Sequence, residues 1–119
     1  MNPDRKYWGQ VLEGARKLPG LEVGTAYGTP ALRVRGRLFA RLREDGETLV
    51  VRTNLFARHY LLESDPEVYH LTDHYRDHPY VLVRLPRISR EQLEERLEEA
   101  WRLAAPKRLA RELDGSQDR

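Results

Sequence analysis

The chain has 119 residues, 39% of them hydrophobic and 34% charged, with a net charge of +2 and a pI near 9.1. That length buries one modest core, and so small a net charge means that a polyanion partner must be argued from where the cations stand. There is no cysteine, which excludes disulfides, thiolate zinc sites and cysteine nucleophiles. No run approaches the roughly 18 apolar residues of a membrane span, and Met1-Asn2-Pro3-Asp4-Arg5 has no apolar leader core. A cytoplasmic protein without a membrane partner is the expectation.

In chain order, Asn2 reads as a helix cap with Pro3 at the first helical position. Trp8, Val11, Leu12 and Ala15 then share one face, and Pro19-Gly20 ends the helix. Residues 20–30, rich in glycine and threonine, read as an irregular approach to a sheet. Strands are predicted over 31–35, 37–43 and 48–52, with Gly36 as one tight turn and Asp45-Gly46 as a hairpin signal. A short helix over 55–63 is capped by Asn54 and stopped before Pro66. Strands over 67–71 and 80–85 flank a polar loop, 72–79. Ser89 with Gln92 forms a capping box, and Leu93, Leu97, Ala100, Trp101 and Ala104 trace the apolar stripe of a last helix. Pro106 interrupts it, and residues 107–113 add a basic turn or two whose charge suits a helix C-terminus.

The order α-β-β-β-α-β-β-α predicts an α+β fold with a mainly antiparallel, five-stranded sheet and helices on one face. One domain over residues 1–113 and a flexible tail over 114–119 are expected.

Arg33, Arg35, Arg37, Arg41 and Arg43 recur at almost every second position, with mostly apolar residues between them. Alternation along a strand sorts these onto one cationic face, joined by Phe39 and Arg52, and leaves Leu32, Val34, Leu38, Ala40 and Leu42 inward. An aromatic within a cationic sheet can stack on a base while guanidiniums meet phosphates. Lys107 and Arg108 are candidates to adjoin that face. The overall arginine excess, eighteen against three lysines, is itself ordinary for GC-rich codon usage or a surface of ion pairs. Only its spacing carries an argument.

Other constellations say less. His70, His74 and His78 recur every four residues, but the flanking Val68-Tyr69 and Pro79 favour strand and loop over helix, so a metal site is not expected. Ser64, Ser89 and Ser116 lack any nucleophile motif, and the carboxylates of residues 91–99 read as a solvated helix face. The chain therefore reads as no enzyme and as needing no cofactor.

Several phrases together resemble the MmcQ/YjbR family of small bacterial proteins. They are Leu18-Pro19-Gly20, Tyr27-Gly28-Thr29-Pro30, Leu32-x-Val34-x-Gly36-Arg37-Leu38-Phe39-Ala40, His74-Tyr75 with His78-Pro79, Val81-Leu82-Val83, and Trp101 with Ala105-Pro106-Lys107-Arg108-Leu109. At Asp77-His78 the chain departs from the glycine common in that family. The resemblance implies a compact α+β fold like that of type III secretion chaperones and a DNA-binding role with hairpins as paired wings. It carries over no catalytic residues. It also draws attention to Tyr27, His74, Tyr75 and His78 as a possible pocket, and to Phe39 and Lys107 as flanks of one groove.

The function expected is sequence-tolerant DNA binding through Arg33, Arg35, Arg37, Phe39, Arg41, Arg43 and Arg52, with Lys107 and Arg108. The alternatives are a protein-interaction module, or a binder of a small anionic ligand near Tyr27, His74, His78 and Lys107.

Overall fold

The computed structural model of the chain describes residues 4–117, so the predicted cap at Asn2-Pro3 lies outside the described residues. Helix α1 (Asp4–Ala15) leads into strands β1 (Leu21–Ala26), β2 (Thr29–Val34), β3 (Arg37–Leu42) and β4 (Thr48–Arg52). Helix α2 (Leu55–Ser64), the short strand β5 (Tyr69–His70), a 3-10 turn (Asp73–Tyr75) and strand β6 (Tyr80–Arg84) follow. Helices α3 (Arg90–Ala104) and α4 (Lys107–Gln117) complete the described chain. The strands form one antiparallel sheet in the order β1-β2-β3-β4-β6-β5.

The predicted α+β class and antiparallel sheet are therefore as expected, with one strand more. Residues 21–26 pair along their whole length with β2. Their glycine and threonine content hid an alternation of Leu21, Val23 and Thr25 with Glu22, Gly24 and Ala26. The Tyr27–Gly28 turn joins the two strands with φ of 54° and 80°, the left-handed pair of a two-residue hairpin turn.

Register builds the core in two rows across the sheet. Leu32, Ala40, Val51 and Val81 form one, and Leu42, Leu49, Val83 and Tyr69 the other. Both rows belong to one buried cluster with Val11 and Ala15 of α1, Leu93, Leu97 and Trp101 of α3, and Leu109 and Leu113 of α4. Trp101 is completely buried, and its indole N–H donates to Pro19 O at 2.9 Å. That bond fixes the end of the α1 region over α3. The predicted caps are made: Asn54 accepts from Ala57 N at 2.7 Å, and Ser89 from Gln92 N at 3.1 Å.

Pro106 begins a new helix. Leu109 and Leu113 enter the core one turn apart, and Asp114 accepts from Arg102 of α3 at 2.6 Å. The described part of the segment expected to be a tail, residues 114–117, is thus helical. Lys107 and Arg108 accordingly stand at the start of α4 and not at a helix C-terminus, where their charge would have suited the dipole.

Candidate functional site

The arginine run does not form one face, and the reason lies at Phe39. In the β2–β3 pairing Leu32 faces Ala40 while Arg33 faces Leu38, which leaves Phe39 as an extra residue of β3. Such a bulge reverses the alternation of side chains beyond it. Phe39 points into the core with no exposed surface. It cannot stack on a base, nor flank a groove with Lys107, which is exposed on α4.

The bulge sorts the cations into two sets. Leu38 and Arg33 face away from the helices, and beyond the bulge so do Arg41 and Arg43. Arg41 belongs to a row running Ala31, Arg41, Val50, Leu82, His70 across that face. Arg37 shares the parity of its partner Val34 and projects from the strand end, exposed. Arg35 occupies the β2–β3 turn with φ of 51°, followed by Gly36 at 77°. It meets Pro106 and Arg108 across a notch of about 290 Å³. Among the described residues, no carboxylate forms an ion pair with Arg35, Arg37, Lys107 or Arg108. A carboxylate does approach the turn, since Glu22 Oε1 accepts from Gly36 N at 3.0 Å.

On the face away from the helices Arg33, Arg41 and Arg52 are engaged within the protein, whereas the half-buried Arg43 side chain makes no hydrogen bond or ion pair among the described residues. Arg33 donates to Thr25 O at 2.9 Å. Arg52 lies 5.9 Å from the Tyr80 ring. Arg41 is buried to 8% exposure and donates to Thr29 Oγ1 at 2.9 Å and to Tyr75 Oη at 3.1 Å. Burial works against its charge, but Tyr75 and Glu44 outweigh it and hold its pKa above the ordinary value. This arginine is not available to a phosphate backbone.

Around it lies a cavity of about 400 Å³, lined by Tyr27, Leu38, Arg41, Val50, His74, Tyr75, His78 and Tyr80. Tyr27, His74, Tyr75 and His78, far apart in sequence, therefore meet at one place; Lys107 does not line it. His74 and Tyr75 are edge-to-face at 4.7 Å, Tyr75 and Tyr80 at 6.1 Å, and the His74 and His78 rings are 5.9 Å apart. His70 is elsewhere, at the far end of the Val50–Leu82 row. Among the described residues no three His, Cys, Asp or Glu side chains could share a metal ion.

Two contributors had escaped notice. Tyr80 closes the wall from β6. Arg58 of α2, also buried, donates to the carbonyls of Tyr75, His78 and Tyr80 at 3.2, 2.7 and 3.2 Å, and to Arg76 O at 2.8 Å. One guanidinium thus satisfies three loop carbonyls and that of Tyr80 at the start of β6, and sets the shape of the wall. A single arginine in a helix of mixed polarity gives no sign of this role; only the fold brings the loop beneath it.

A larger cleft, of about 610 Å³, lies between α1 and the start of α3. Of its lining charges Glu13 pairs with Arg90 at 3.8 Å, and Lys6 stands 5.2 Å from the Tyr7 ring. The carboxylates along α3 form short ion pairs, Arg96 with Glu95 and Glu99 and Arg102 with Glu98; Glu95 and Glu99 are largely exposed, whereas Arg96 is mostly buried.

A family model described as YjbR matches residues 16–103 of the chain. An uncharacterized protein of Mycobacterium bovis is 47% identical over 49 residues, 41% of this chain, and uncharacterized proteins from two Mycobacterium tuberculosis strains match to the same extent. The match spans 38% of the length of these curated relatives. The crystal structure of Deinococcus radiodurans protein DR2400, with a domain of the DUF419 family, is similar with a TM-score of 0.69 at 19% identity. It covers 87% of this chain and 85% of that one, a likeness of fold.

Proposed function

The chain belongs to the YjbR family, and from that premise we propose that it is a non-enzymatic, cytoplasmic, sequence-tolerant DNA-binding protein that grips phosphates with Arg35, Arg37, Lys107 and Arg108. One observation carries this reading. Lys107 and Arg108 occupy the first turn of α4, the end at which a cation opposes the helix dipole, with no acidic residue in that turn. There Arg108 faces Arg35 across the notch, with Lys107 exposed beside it in the same turn. Like charges gathered at the wrong end of a helix do nothing for the fold. They suit an external anion.

The four cations come from a hairpin tip and a helix start, so the contacts are to backbone phosphates and carry little sequence information. Neutralising about four phosphates gives a log–log salt slope near −3.6. Titrating labelled duplex at several salt concentrations tests this, with the Arg35→Ala/Arg37→Ala/Arg108→Ala variant expected to flatten the slope to about −1. A slope near zero in the unmodified protein, or an unchanged one in the variant, refutes the reading.

A protein-interaction module is the second reading. In its favour, Phe56 and Tyr60 stand one turn apart on α2, largely exposed beside Leu55. Partners that survive nuclease treatment and are lost on Phe56→Asp would favour it. Among the described residues no helix is long and apolar enough to cross a membrane.

A further inference from the structure

The cavity around Arg41 takes no part in the phosphate contacts proposed above, and three of its features call for an occupant. The Arg41 side chain is only 10% exposed, yet its carboxylate partner Glu44 is 68% exposed and 3.4 Å away. A guanidinium withdrawn from water normally holds a close, planar carboxylate on its fork. Tyr27 is the second feature. A bulky ring at a φ of 54° is strained, and no burial offsets that strain, because Tyr27 is 86% exposed. Its ring instead stands 5.4 Å from the Arg41 guanidinium, at the mouth of the cavity. The third feature is the lining, with Leu38 and Val50 against a wall of Tyr75, Tyr80, His74 and His78 rings. Apolar surface with one engaged cation is the composition of a small-molecule site, and about 400 Å³ is an ordinary size for one.

We propose that this cavity binds a small, flat aromatic molecule bearing one carboxylate, its ring against Tyr27 and the Tyr75–Tyr80 wall and its charge on Arg41. The ligand is flat because rings line the space. It is anionic because the buried Arg41 is the guanidinium in the cavity lining, and a carboxylate matches the geometry that Glu44 fills loosely. Binding displaces the Glu44 side chain into the water that already surrounds it.

The test uses indole-3-carboxylate as probe, followed by amide and side-chain NMR shifts of the full chain. Saturable binding is expected with Kd on the order of 1 mM, with shifts centred on Tyr27, Arg41, His74 and His78. Indole-3-carboxamide, which lacks the charge, and cyclohexanecarboxylate, which lacks the ring, should each bind at least about tenfold more weakly. Tyr27→Ala should weaken the probe about tenfold while leaving the remaining spectrum in place. Glu44→Gln, which removes the internal competitor, should tighten it. The inference is overturned by no saturation up to about 10 mM, by equal binding of the carboxamide, or by indifference to Tyr27→Ala. Duplex DNA should move Arg35, Arg37 and Arg108 and not the cavity signals. Displacement of the probe by DNA would make the cavity part of the nucleic-acid surface and sink the small-molecule assignment.

Discussion

Strand β2 begins at the Tyr27–Gly28 turn and ends at the Arg35–Gly36 turn, and the two have nearly the same backbone, with φ of 54° and 80° in one and 51° and 77° in the other. Both put a large side chain where asparagine or glycine would be relaxed. What differs is the surroundings. Arg35 projects into solvent beside Arg108, whereas Tyr27 covers a guanidinium drawn out of water. A cation at an exposed tip needs no partner within the protein, because water screens it. A buried one must be enclosed by acceptors and rings, and so it organises a cavity. The same turn therefore borders both proposed sites: the open end assigned to a polyanion and the walled cavity assigned to a small ligand.

The bulge at Phe39 keeps these two sites apart, and removing its anchor is the severest test of the comparison. Phe39→Ala should cost about 3–5 kcal/mol in urea unfolding, as expected for a fully buried ring. A loss below about 1 kcal/mol would mean that the Phe39 ring is not held in the core, and would overturn the bulge as what separates Arg37 from Arg41 and Arg43.

The turns themselves come next in size. Arg35→Asn relieves left-handed strain at a side chain that makes no hydrogen bond or ion pair among the described residues, and should raise stability by about 0.5–1 kcal/mol while weakening duplex binding. Tyr27→Asn relieves the same strain but forfeits the contact with Arg41, about 0.5–1 kcal/mol. It should come out close to neutral. Equal gains in thermal and urea unfolding at both turns would mean that the Tyr27–Arg41 contact contributes nothing.

The smallest expected effect is at His70, which continues the row of Arg41 to the opposite end of the sheet. Burial lowers its pKa from the ordinary 6.5, Arg84 and Arg43 lower it further, and Asp45 acts the other way. An imidazole that binds its proton more weakly folded than unfolded contributes full stability above its unfolded value. That stability is lost as pH falls below about 6.5 toward the lower folded value. A melting-temperature profile of the native chain should therefore drop between about pH 7 and pH 5, and His70→Gln should remove that component. The same drop in the variant would assign it elsewhere.

Much of the fold was legible locally. The stripe of α3, the caps at Asn54 and Ser89 and the Asp45 turn depend on residues a few positions apart, where spacing and backbone chemistry decide. β1 was missed because glycine and threonine obscured its alternation. The candidate sites were legible only in part. Tyr27, His74, Tyr75 and His78 drew attention through family resemblance, yet no local signal places Arg41 beneath them or ties Arg58 to the carbonyls of their loop. Phe39 misled most, since one unpaired residue inverts a two-residue period, and nothing in Leu38-Phe39-Ala40 marks the break.

The order of residues by itself settled where helices and most strands begin, which positions are apolar, and that the chain makes one α+β layer pair, because these follow from interactions within a few residues. The tertiary structure alone decided which arginines stay in water and which are enclosed. That choice depends on strand register, on a bulge, and on a loop whose Tyr75 arrives from 34 residues away, and a guanidinium has different chemistry on either side of it.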